Sequence, residues 1–139
     1  MYPKLDLSRE NVLIELDNFQ MYLDDDSDNM DDVNIASERL TRIVNIYSRA
    51  SKIYTDFNYI YTKSLRPDIE NIIANYTGKF IGKEVQKLLA NLYLVEEQYI
   101  IRWSERMMSN CVHQMDSLRT LISKSKAEMQ YLNFNNRRD

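Results

Sequence analysis

Two glycines, two prolines, one cysteine and one histidine occur in 139 residues. So few backbone breakers argue against a turn-rich β fold, because tight turns draw on glycine and proline. A lone cysteine, Cys111, forms no internal disulfide and suits a reducing cytoplasm, the localisation expected here. Apolar runs fall well short of the roughly 18 to 20 residues that span a bilayer, so no membrane contact is expected. No apolar stretch follows Met1-Tyr2-Pro3-Lys4-Leu5-Asp6, so this segment does not read as a signal peptide.

The scarcity of chemistry-bearing residues excludes more. Cys111 and His113 lie two positions apart on a predicted helix, about 200° around its axis, and cannot act as nucleophile and base. Gly78 and Gly82 have the wrong spacing for a phosphate loop, and Lys83 is followed by Glu84. Asp24, Asp26 and Asp28 mimic the start of a calcium loop, but Asn29 stands where that loop needs glycine and Ile35 where it needs glutamate. No enzyme, no metal, no cofactor and no small-molecule substrate are expected.

What the chain has is helix. Residues 83–132 contain no glycine or proline and are rich in Leu, Met, Glu, Lys, Gln, Arg and Ala, the residues that lose least on entering a helix. Their second half spaces Met108, Cys111, Met115, Leu118, Ile122, Met129 and Leu132 as a heptad seam, with Ser125 in the one gap. The first half is apolar in another phase, through Leu88, Leu92, Val95 and Tyr99, with Trp103 near the change. A second breaker-free run, 33–65, carries the seam Ala36, Leu40, Ile43, Tyr47, Ala50, Tyr54, Phe57 and Tyr61, with Ile46, Ile53 and Ile60 on its flank. Ahead of both, Leu5 to Leu23 reads as an amphipathic helix with Ser8 as N-cap and Val12, Leu16, Phe19 and Leu23 on one face.

Arg66-Pro67 is expected to end the second helix, with a short helix from Asp68 to Tyr76 and the main bend at Gly78 and Gly82. The fold class predicted is therefore all-α. A long antiparallel hairpin carries an N-terminal amphipathic helix and joins an oligomeric assembly. Three regions follow: an acidic helix and linker at 1–32, a helical body at 33–132, and a frayed tail at 133–139. Leu88, Leu92, Tyr99, Trp103, Met108, Met115 and Ile122 are the candidate oligomerisation residues, because two long stripes exceed what one hairpin buries.

Charge is divided unevenly. Residues 1–32 hold 2 basic and 10 acidic side chains, and the remainder holds 16 basic and 11 acidic. An acidic arm on a basic body either solvates the chain or shields and steers an anionic partner. Basic residues lie near aromatics, and phosphate charge with base stacking is the usual mode of single-strand binding. Arg49, Lys52, Lys63, Arg66, Lys79, Lys83 and Lys87 are the candidate nucleic-acid contacts. Ordinary solvated faces, with the tyrosines as core, would give the same pattern.

A short chain with a tyrosine-bearing helix, a turn and a long last helix resembles the UvsY-type recombination mediators of tailed phages. The likeness lies in Tyr99 and Trp103 upstream of Met107, Met108 and Cys111, then Asp116, Leu118, Arg119 and Ile122. Asn58-Tyr59-Ile60-Tyr61-Thr62-Lys63 is similar to the tyrosine-rich end of the family's preceding helix. The family's basic cluster is replaced here by Ile53 to Phe57, and its terminal motif by Tyr131 to Asn135. The resemblance implies a ring-forming homo-oligomer without enzymatic activity. It would bind single-stranded DNA and load a recombinase against a single-strand-binding protein. Two other readings fit the same residues: a protein-only helical adaptor, scaffold or virion component, and an inhibitor whose acidic arm mimics DNA.

Overall fold

The computed structural model describes residues 8–75 and 94–137, with side chains placed for 8–63 and 94–137. Three helices account for most of them: α1 (Arg9–Asp24), α2 (Val33–Asn75) and α3 (Val95–Asn136), with no strand among the described residues. The all-α reading therefore holds. The Gly78 and Gly82 bend lies outside the described residues. The last helix does not run unbroken from Lys83: Leu94 is its non-helical N-cap and the helix begins at Val95.

Helix α1 begins where the sequence places it. The Ser8 hydroxyl accepts from the Asn11 backbone N–H at 3.3 Å, filling one of the donors that a helix start leaves open. Its apolar spacing puts Val12, Leu16 and Leu23 in the core, with Phe19 packed beside them. No basic residue lies in its last turn. Arg39 of α2 supplies that charge instead: its Nη2 donates to the carbonyls of Leu23 at 3.2 Å and Tyr22 at 3.4 Å. Gln114 of α3 donates to the same Leu23 carbonyl at 3.0 Å. The end of α1 is thus held by both long helices.

The linker between α1 and α2 is built from side-chain-to-backbone turns. Asp25 accepts from the Ser27 N–H, Asn29 from the Asp31 N–H, and Asp32 from those of Asn34 and Ile35. The last pair caps α2. The backbone N–H of Ser27 holds the Asp25 carboxyl below its ordinary pKa.

Helix α2 does not break at Arg66-Pro67; it continues to Asn75. A proline removes one N–H and bends a helix, but does not have to end it when both flanks keep helical spacing. Ile69, Ile72 and Ile73 maintain that spacing. The short helix expected from Asp68 is, as far as Asn75, the last part of α2, and Tyr76 lies outside the described residues.

The core lies where the three helices meet. Val12, Leu16, Ile43, Ala50, Phe57, Ile100, Met107 and Cys111 are all buried. Burying an aliphatic or aromatic side chain contributes about 1.5 to 3 kcal/mol, so this cluster dominates the stability of the bundle. The isoleucine flank of α2 is more central than its tyrosines. Ile46 and Ile53 are buried, Tyr54 and Tyr61 are half-buried, and Tyr47 is exposed. On α3 the buried line is Ile100, Ser104, Met107, Cys111, Met115 and Leu118, so Met107 takes the deepest place and not Met108. Ser104 enters the core because its hydroxyl donates back to the Ile100 carbonyl at 2.8 Å. Two contacts fix how α2 and α3 lie together: Gln98 donates to the Tyr61 hydroxyl at 2.9 Å, and Arg39 to Gln114 at 3.1 Å. Helix α3 runs on to Asn136, so the segment read as a frayed tail begins as helix.

Candidate nucleic-acid interface

Seven basic residues were candidates for phosphate contact, and α2 places three of their side chains. Arg49 forks onto Glu15 of α1, Nε to one oxygen at 2.5 Å and Nη2 to the other at 3.0 Å. Lys52 donates to Asp56 one turn along at 2.8 Å, and that carboxylate is buried. Both cations are paired with carboxylates of the protein itself. Lys63 lies over the ring of exposed Tyr59, its Nζ 5.1 Å from the centroid. Lys79, Lys83 and Lys87, and the side chain of Arg66, lie outside the described residues.

The candidate oligomerisation residues separate in the same way. Met115 is buried in the protein's own core, and Trp103, Met108 and Ile122 pack against it. The Trp103 indole N–H donates to Gln20 of α1 at 3.2 Å. These four stabilise the bundle itself. Tyr99 is exposed. Leu88 and Leu92 fall outside the described residues.

One face of α3 carries basic residues outside the seven candidates for phosphate contact. Tyr99, Arg102 and Arg106 follow one another by 3 and 4, so they form one stripe. Tyr99 is 57% exposed, and its ring stands 5.6 Å from that of Trp103 at 54°. Arg102 and Arg106 are exposed, and among the described residues neither has a hydrogen-bond or ion-pair partner. Their pairing on one face with an aromatic could have been read from the sequence. What hid it was the assignment of Tyr99 to an apolar seam.

Further along, an open groove of about 380 Å³ lies between the acidic linker and α3, lined by Leu23, Asp25, Met30, Arg39, His113 and Leu118 among others. Arg39 is only 6% exposed at its edge and also donates to Asp28 at 3.4 Å. Cys111 is buried, and loss of water around the thiol pushes its pKa up to about 11. A protonated, enclosed thiol is a poor nucleophile. No group of three or more His, Cys, Asp or Glu side chains converges among the described residues as a metal site would require. No helix among them is long and apolar enough to cross a membrane.

The described residues form an α-helical fold in which three helices share one core. The chain matches no family model, no curated protein and no solved structure.

Proposed function

We propose that this chain is a non-enzymatic, self-associating helical protein. Its long helices form an antiparallel hairpin, and it works as a mediator that holds single-stranded DNA and helps load a recombinase against a single-strand-binding protein. The observation that carries the assembly part is the far end of α3. Gln98 meets Tyr61 and Gln114 meets Arg39, so rising numbers on one helix meet falling numbers on the other. Val33 is the first residue of α2, which puts that end level with about residue 120 of α3 at 1.5 Å per residue. Beyond it, the face that carries Leu118 and Ile122 continues through Met129 and Leu132, which are 58% and 59% exposed. An apolar seam leaving its cover in this way suits contact with another subunit. The DNA part rests on the resemblance of Tyr99, Trp103 and the following residues to the mediator family, and on the basic surplus beyond residue 32.

The internal pairing of Arg49 with Glu15 and of Lys52 with Asp56 favours a second reading, a protein-only helical adaptor. Titration with single-stranded DNA at two salt concentrations separates the two. A mediator binds at low salt and loses affinity steeply as salt rises, because phosphate contacts release counterions. An adaptor shows no binding at either concentration. Light scattering tests the assembly that both readings share, and a mass of 16.6 kDa at micromolar concentration would refute it.

A further inference from the structure

We propose that the face of α3 bearing Tyr99, Arg102 and Arg106 is a single-strand nucleic-acid site, with the tyrosine as stacking platform and the two guanidinium groups as phosphate contacts. This names the site for the mediator reading above and rests on it.

The stripe continues along α3 through His113 to Ser117, about 27 Å from Tyr99 at 1.5 Å per residue. That length suits several nucleotides of an extended strand. Two acidic residues at its edges are already used: Glu96 accepts from Arg9 at 2.8 Å, and Asp116 lies 3.5 Å from Arg119. Glu105, three residues past Arg102, forms no ion pair with it. Arg102 and Arg106 are one helical turn apart, and like charges at that spacing repel. A phosphate between them relieves that repulsion and accepts hydrogen bonds from both.

Tyr99 is suited to the other half of the task. It presents more than half of its surface to solvent while Trp103, fixed by Gln20, supports its ring. Base stacking on such a ring is tolerant of sequence, because every base has a π face. The far end of the stripe has the opposite character. His113 and Ser117 share their groove with Asp24, Asp25 and Asp26, so a strand following the arginines meets negative charge there. The acidic linker thus limits the site at one end. The ligand indicated is an anion with flat, unpaired bases, which separates it from an acidic peptide that offers charge without rings.

Fluorescence anisotropy of the full-length protein with a labelled oligothymidylate, at about 50 and 200 mM salt, tests this. Arg102→Gln with Arg106→Gln should weaken binding at the lower salt by about tenfold or more and reduce the salt slope by about 1.4, for two lost phosphate contacts. Tyr99→Leu keeps an apolar side chain but removes the ring; it should weaken binding roughly 5- to 100-fold with the salt slope unchanged. All three positions are exposed, so the variants should match the parent in helicity by circular dichroism. Lys126→Gln is the comparison, because Lys126 is exposed on α3 about 180° around the helix from Tyr99, and its affinity should stay within twofold of the parent. Trp103, the one tryptophan, reports independently: its emission should be quenched by the strand and recover with salt. If the parent binds but the double charge variant keeps its affinity and slope, the site is wrong and the mediator reading survives. If the parent does not bind at low salt, both fall.

Discussion

Arg39 shows how much one side chain settles. It sits in a run of α2 that reads as an ordinary basic helix surface, yet it is buried. It gathers the end of α1, the linker through Asp28, and α3 through Gln114. A cation is tolerated there because carbonyls, a carboxylate and an amide surround it, with the Tyr22 ring centroid 5.0 Å from its guanidinium carbon. Cys111 is the reverse case, a group kept neutral by burial. Its thiol pKa rises from 9.0 to about 11 through loss of water. Below pH 9 the thiol is protonated in both folded and unfolded chains and adds no pH dependence. Above pH 9 the unfolded chain ionises while the folded one does not, so stability falls as pH rises toward 11. Urea midpoints at pH 8 and pH 10.5 should differ more for the parent than for Cys111→Ala, which has no thiol to ionise. An equal fall in the two proteins would assign it to the tyrosines and lysines instead.

At the scale of elements, α2 and α3 carry different lessons. Helix α2 passes through Pro67, which has no N–H to give to the helix ladder. Alanine supplies one, so Pro67→Ala should stabilise the protein by up to about 3 kcal/mol, read as a higher melting temperature. An unchanged or lower value would mean that the proline itself is needed at this position. Helix α3 continues past its cover, and Met129→Asp with Leu132→Asp should reduce the scattering mass while leaving the helical circular dichroism signal in place. The two side chains are exposed within the subunit, so a folding defect is not expected. Full-size assemblies in this variant would place the subunit contact elsewhere on the molecule.

For the whole molecule, the division of charge is what matters most. The first 32 residues carry the acidic surplus, and Asp24, Asp25 and Asp26 border the groove beside α3. Replacing Asp24, Asp25, Asp26 and Asp28 with asparagine keeps their shapes and removes four charges. Affinity for single-stranded DNA should then rise at low salt, with the gain shrinking as screening shortens to roughly 8 to 10 Å. Unchanged affinity at low salt would show that the linker does not act on the bound strand.

The sequence by itself determined the helices and much of their caps. Few breakers and heptad spacing specify helix locally, and Ser8 at the start of α1 acts through neighbours three residues away. It also determined the acidic linker, because aspartate and asparagine make their turns with adjacent backbone. The continuation of α2 beyond Pro67 was not legible, because a lost bond can equally end a helix or bend it. Nor was the choice of Met107 over Met108, or of Ile46 and Ile53 over Tyr47 and Tyr54, since neighbouring positions on a wide apolar stripe compete for the centre. Only the tertiary structure decided which cations are already engaged. Arg49 meets Glu15 across 34 positions and Arg39 meets Gln114 across 75, and no local pattern encodes a partner that far away. Packing pairs Arg49 and Lys52 with carboxylates and leaves Arg102 and Arg106 beside Tyr99 facing water.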